Sequence, residues 1–368
     1  MKTNTKKGFR ASLLLSVLMC LTLIMSACGG SGNTKAAEEP AGASTSTGQD
    51  APKETKTDAP KSPVKINVGY IPDLNGAAPI VIADEKGFFK DAGLNVNAVK
   101  FLSGPPEFQA MASGDLDIAY IGPGATFLAA QGQGKIIALA SLGFGDMVYA
   151  TKKSGIQEWK DLKGKTVGVP KGTSGEMILN LGLEKGGLKP SDVNIVNIDV
   201  AGAVSAFVAN KVDAVAIWSP YTKEIEKQLG KENIVKLGDN RTFYPEYVFP
   251  ASWVVNPKFL EEKPEVVQQF LEAWVKANDY KIKNVDETIS LTSKYTQVPE
   301  DSLKEQFETM EWIESSKIAG YMKDGTTVKW FENLEKMFVT NGKMTEVVPG
   351  DKFIATEPFV KAQEAAGN

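Results

Sequence analysis

The chain contains no histidine, only two cysteines and only two arginines. Without histidine, a Ser-His-Asp triad, a Cys-His dyad and an imidazole metal site are all excluded. The cysteines, Cys20 and Cys28, both lie near the N-terminus, so the rest of the chain cannot form an internal disulfide. With Arg10 and Arg241 as the only guanidinium groups, no cluster of arginines can grip an anion. Neutral donors and helix N-termini would have to do that work. No run after residue 28 is apolar for long enough to cross a bilayer. No loop carries Walker A or Rossmann glycine spacing, and neither a cofactor nor a metal is expected.

The N-terminus implies export. Lys2, Lys6, Lys7 and Arg10 precede a short apolar run, Ala11 to Met25, and Ser26-Ala27-Cys28 follows. This is a secretory signal over 1–27 with Cys28 as the expected lipidation site, anchoring the chain to the outer face of a bacterial cytoplasmic membrane. Residues 28–63 are rich in Gly, Ser, Thr, Ala, Pro and Lys and have no aromatic residue, so they read as a flexible tether. Of 41 basic and 45 acidic residues, removing the four of the signal leaves 37 basic ones, a net charge of −8. An acidic exported chain without basic clusters is a poor nucleic-acid binder.

From Lys65 onward, strand-like and helix-like stretches alternate, which predicts an α/β fold with mainly parallel sheets. The order then begins again. Val68-Gly69 recurs as Val167-Gly168 at a shift of 99, and Asp117 recurs as Asp213 at a shift of 96. Two similar lobes are expected: 64–147 and 249–368 in the first, 148–248 in the second. Extended crossings are expected at Phe144 to Ala150 and Tyr247 to Val255. Helices are expected over Pro264 to Ile282, Val285 to Tyr295, Glu300 to Met310 and Val328 to Phe338.

Open α/β sheets bind ligands beyond the carboxyl ends of their strands. Four loops fit that place. The first lobe offers Tyr70, Asn75 and Gly76, then Gly122, Pro123, Gly124, Ala125 and Thr126. The second offers Gly172, Thr173, Ser174, Gly175 and Glu176, then Trp218 and Tyr221, with Gly145 at the crossing. Thr173 and Glu176 have capping-box spacing at a helix start able to hold an anion. Tyr70, Trp218 and Tyr221 would line an apolar wall. Glu176 divides between a structural cap and a cleft carboxylate that attracts an ammonium; Asp73 and Asp146 raise the same question.

Glu85-Lys86-Gly87-Phe88-Phe89, Ala112-Ser113-Gly114-Asp115-Leu116-Asp117, Lys171-Gly172-Thr173-Ser174 and Asp213 through Tyr221 together resemble a known family. It comprises the solute-binding lipoproteins of ABC importers for sulfonates, taurine, nitrate and thiamine-pyrimidine precursors. The resemblance spans nearly all of Lys65 to Phe359. It implies a type II periplasmic-binding-protein fold, a Venus flytrap with two hinge crossings, acting as a monomer that delivers its ligand to a permease. Within the family, the Lys171 and Trp218 segments look most like aliphatic sulfonate binders. Gly175 and Glu176 depart from that pattern and admit a zwitterion such as taurine. Binders of pyrimidine precursors or nitrate are the alternatives. A pyrimidine-synthesising branch uses histidine and a cysteine-rich motif, which this chain lacks, so no enzymatic activity is expected.

Overall fold

The apolar runs from residue 64 onward form eleven strands, β1 to β11 in chain order, in a computed structural model that describes residues 62–367. The expected signal, tether and lipidated Cys28 lie outside these residues. One sheet takes β1 (Val64–Tyr70), β2 (Leu94–Lys100), β3 (Ile118–Ile121), β4 (Lys135–Gly143), β10 (Pro250–Val255) and β11 (Met310–Trp312), in the order β11-β4-β10-β3-β1-β2. The other takes β5 (Asp146–Thr151), β6 (Thr166–Val169), β7 (Asn194–Asn197), β8 (Ala214–Trp218) and β9 (Ile234–Asp239), in the order β7-β6-β8-β5-β9. The result is a two-lobed α/β fold. Every residue of β8 is buried, as an unbroken apolar strand covered by helices on both faces should be. Among the described residues no helix is long and apolar enough to cross a membrane.

The sequence repeat is reproduced bond for bond. In the first sheet β1 runs parallel between β2 and β3; in the second, β6 runs parallel between β7 and β8. Val68 faces Ile118 and Val167 faces Ala214, at the same shifts of 99 and 96. The Asp117 carboxylate accepts the Asn67 N–H at 2.8 Å, and the Asp213 carboxylate accepts that of Thr166 at 2.9 Å. Each aspartate thus pins the start of its own strand to the central one.

Parallel pairing stops at those three strands. β10 joins β3 antiparallel, and β5 joins β8 antiparallel, so both sheets are mixed. The cause is the chain's route. After Gly143 it crosses directly into β5, and after Asp239 it returns into β10; each crossing strand enters its new sheet from the opposite end. The segments expected to be extended linkers are therefore largely strands. The C-terminal helices Pro264–Lys283, Val285–Thr296, Glu300–Glu308 and Thr326–Thr340 pack on the first sheet, burying Phe270, Trp274, Leu303 and Phe331 in its core. Met310, expected to end a helix, instead opens β11, which pairs with β4.

Candidate functional site

The loops at the strand ends converge on a cavity of about 50 Å³ between the two sheets. After β1, Ile71, Asp73 and Asn75 line it; after β3, Gly122, Pro123 and Ala125; after β6, Gly172, Thr173 and Ser174; after β8, Trp218 and Ser219. Asp146, at the start of β5, completes the ring with Ser103, Gly104, Tyr120, Gly143, Phe249, Ala251, Gln306 and Met310. At roughly 10–15 Å³ per water-sized group, the space admits only a small occupant in this closed arrangement.

Two carboxylates face this space, and among the described residues no lysine or arginine lines it. Asp73 sits in a Pro-Asp-x-Asn-Gly turn, where its Oδ1 accepts the N–H groups of Asn75 and Gly76, both at 2.8 Å. The Leu74 N–H donates to Gln306 Oε1 at 2.8 Å, tying this turn to the helix Glu300–Glu308. Burial pushes the Asp73 carboxyl up to about 7, against those hydrogen bonds and the nearby Lys281 charge. Asp146 is raised to about 6, again mainly by burial, with Ser174 and Asn240 holding it down. Behind them, Glu107 is fully buried; among the described residues neither carboxylate oxygen has a hydrogen-bond partner, and burial and the Asp73 charge push it well up. Asn75 is oriented by Ser141, whose hydroxyl donates to Asn75 Oδ1 at 2.8 Å.

Across from Asp73, and beside Asp146, which Ser174 hydrogen-bonds, is the start of the helix Ser174–Lys185. Thr173 stands at its N-cap with extended backbone, but no side chain caps the helix. The expected capping box does not form. The Thr173 hydroxyl donates to the Pro170 carbonyl at 2.6 Å, and Glu176 takes the Gly172 N–H at 2.7 Å. No side chain thus caps the first-turn N–H groups, and Thr173 and Ser174 beside them line the cavity.

The structure brings Asn75, Gly122, Pro123, Ala125, Gly172, Thr173, Ser174 and Trp218 to the cavity. Other expected residues stand off it. Tyr70 packs on Tyr295, with ring centroids 5.6 Å apart. Gly76 supports Asp73 through its N–H. The Thr126 hydroxyl turns back to the Pro123 carbonyl at 2.7 Å. The Gly145 carbonyl accepts the Ser219 N–H at 3.0 Å. Gly175 lets its helix approach β8, since a Cβ there would lie 2.4 Å from the Ala216 carbonyl. Glu176 stands off the cavity, its Oε2 held by the Gly172 N–H and by Lys343, 2.9 Å away. Tyr221 stacks edge-on against Trp218, centroids 6.0 Å apart, from outside the cavity. Gly124 is a contact between lobes: its own Cβ would fall 1.9 Å from the Thr173 carbonyl carbon. Tyr120, Phe249, Gln306 and Met310 were not anticipated. They come from elements far apart in the chain, and only the second crossing, the helix Glu300–Glu308 and β11 bring the last three to the cleft.

Two sheets of this topology, joined by two crossings and closing on one cavity, define a protein of the periplasmic-binding-protein fold. A solved structure similar to it is the alkanesulfonate-binding protein of Xanthomonas axonopodis pv. citri bound to MOPS; it is 18% identical, has a TM-score of 0.62 and covers 80% of this chain and 99% of its own. The chain belongs to the NMT1/THI5 like family, whose model matches residues 75–288. A Brucella abortus relative described simply as a binding protein is 35% identical over 293 residues, covering 79% of this chain and 91% of its own length. The taurine-binding periplasmic protein of Escherichia coli is 30% identical over 247 residues, covering 64% of this chain and 74% of its own length.

Proposed function

We propose that the chain is the extracytoplasmic solute-binding component of an ABC importer, holding an amino-bearing organosulfonate such as taurine in the cavity between its lobes. The observation that carries this reading is the pairing of a helix start that no side chain caps with Asp73 and Asp146, around a space that no basic side chain lines among the described residues. A simple alkanesulfonate would gain the helix N–H groups and the helix dipole but would face two carboxylates. A zwitterion brings a charge to suit each group: its sulfonate meets the helix start at Thr173, and its ammonium lies between Asp73 and Asp146. The ligand bridges the lobes and favours closure through contacts present only in the closed form. The closed lobes then engage the permease, with the chain tethered to the membrane through Cys28. In this role the ligand is released unchanged.

A second reading has one specific support. Trp218, Tyr120 and Phe249 line the same cavity as the carboxylates, and that combination also suits a flat aminopyrimidine. Thermal unfolding separates the two. A ligand at about 100 times its dissociation constant adds roughly 2.7 kcal/mol to stability. Taurine is expected to shift the transition more than ethanesulfonate, and an aminopyrimidine less than either. A shift with the pyrimidine alone would replace the sulfonate reading. Recovery of a chemically altered ligand would remove the carrier reading.

A further inference from the structure

We propose that Lys343 and Glu176 form a clasp that exists only when the lobes are closed, making Lys343 a positioning residue that sets how tightly the cleft holds its ligand. The inference rests on the reading of the cleft as a ligand-closing site. Glu176 belongs to the second lobe, where its Oε2 accepts the Gly172 N–H at 2.7 Å. Lys343 belongs to the first lobe, two residues beyond the C-cap of the helix Thr326–Thr340. Its backbone is fixed there: its N–H donates to the Phe338 carbonyl at 2.8 Å, and its carbonyl accepts Gln131 Nε2 at 3.1 Å. Its ammonium lies 5.8 Å from the Phe127 ring centre, and Phe127 in turn packs on Phe338.

Each partner is thus placed by its own lobe, and the 2.9 Å contact between Lys343 Nζ and Glu176 Oε2 is added by closure. The same Glu176 oxygen fixes Gly172 at φ +75°, where an added Cβ would lie 2.8 Å from Pro105 of the facing lobe. The clasp therefore acts on the turn that carries Thr173 and Ser174 into the cavity.

Burial distinguishes this pair from the exposed bridge between lobes, Lys227–Asp301, while a second sheltered bridge, Lys223–Glu305, stands at 3.1 Å with side chains 27% and 19% exposed. The side chains of Glu176 and Lys343 are 11% and 28% exposed, whereas those of Lys227 and Asp301 are 44% and 54% exposed. Lys227 stands on the helix Tyr221–Leu229, and Ile225 of that helix joins the opposite core of the second sheet from Ile178. The two bridges therefore sit on opposite faces of that sheet. An exposed pair contributes little, whereas removing one partner of a sheltered pair leaves a poorly solvated charge behind.

The experiment follows closure in the ligand-free full chain, with Cys20 and Cys28 replaced by serine and dyes on cysteines introduced at exposed Ser191 and Lys294, one in each lobe. In low salt, Lys343→Met is expected to lower the closed-to-open ratio by roughly 5- to 20-fold, Lys343→Arg to restore most of it, and Asp301→Asn to change it less than 2-fold. High salt should weaken closure of the parent more than that of Lys343→Met. A parent found only open in low salt, or a Lys343→Met variant indistinguishable from it, would overturn the clasp. Because no ligand is present, that result is separate from the choice of solute. Failure of taurine to increase closure while the Lys343 effect persists would count against the proposed ligand alone.

Discussion

Asn240 grips Asp146 from both ends: its Nδ2 donates to the Asp146 carboxylate at 2.8 Å, and its side-chain oxygen accepts the Asp146 N–H at 2.7 Å. One residue stands just after the first crossing and the other just before the second, so the hinge itself aims this carboxylate. Asp146 Oδ1 is buried without a hydrogen-bond partner among the described residues, and Asp146 borders the cavity. Asp146→Asn keeps the shape and removes the charge. A hydrogen bond to a charged group contributes about 1.5–3 kcal/mol, so taurine affinity is expected to fall roughly 10- to 100-fold. Ethanesulfonate should bind as well as before or better, and titration calorimetry with both ligands checks the contrast.

The same carboxylates set a pH dependence. Asp73 is raised from 3.8 to about 7 and Asp146 to about 6, so between pH 4 and 7 the folded chain holds more protons than the unfolded one. Their contribution to stability is complete below about pH 4 and is lost as pH rises through 6 to 7. Lys281, depressed from 10.5 to about 7 by burial, acts in the window above 7, where its contribution grows with pH. The ligand-free melting temperature should therefore carry a falling component from pH 5 to 7, reduced in Asp73→Asn. Taurine requires the ionised carboxylates, so its stabilising shift should grow over the same range. A taurine shift that shrinks as pH rises would contradict the assignment of these aspartates to the ammonium.

Stability and binding should come apart at Gly182. It lies in the middle of the helix Ser174–Lys185, and an added Cβ would meet the Trp159 ring at 2.0 Å. Gly182→Ala must displace a buried indole, a strain of about 1–3 kcal/mol. The melting temperature should fall by roughly 2–10 °C. At about 1.5 Å per residue, the change lies some 12 Å from Ser174, so affinity measured below the transition should hold within about 2-fold. Calorimetry of unfolding and of binding on one sample would check both.

What the sequence made legible was local. The repeated βα units could be read because each carries its own aspartate before an apolar strand, and the shifts of 99 and 96 survive as hydrogen-bond register. The turns after β1, β3, β6 and β8 could be read because glycine, proline and hydroxyl residues cluster there. What could not be read was long-range. Glu176 was divided between cap and ligand because its partner, Lys343, is 167 residues away. Gln306 reaches the Leu74 N–H across 232 residues. The antiparallel halves of the sheets come from crossings whose entry direction leaves no mark on strand composition. Asp73 did carry a signal in its Pro-Asp-x-Asn-Gly turn, but only burial reveals that its carboxylate faces a cavity rather than water.

Gly124 separates folding from closure more cleanly than any cavity residue. It sits in a short turn after β3 with a negative φ, so alanine is compatible with its backbone. Yet in the closed form its Cβ would lie 1.9 Å from the Thr173 carbonyl carbon and 2.4 Å from the Ser174 nitrogen, both backbone atoms of the facing lobe. Neither atom can swing aside as a flexible side chain would; the lobes must stay apart instead. Gly124→Ala should therefore melt within about 1 °C of the parent when ligand-free, since local sites without strain change stability little. Taurine affinity should fall at least 10-fold, because the contacts that favour closure can no longer all form. Scattering profiles should show the variant failing to contract when taurine is added at a concentration that compacts the parent. A variant that contracts normally would mean that the approach of Gly124 to Thr173 is not part of the ligand-bound state.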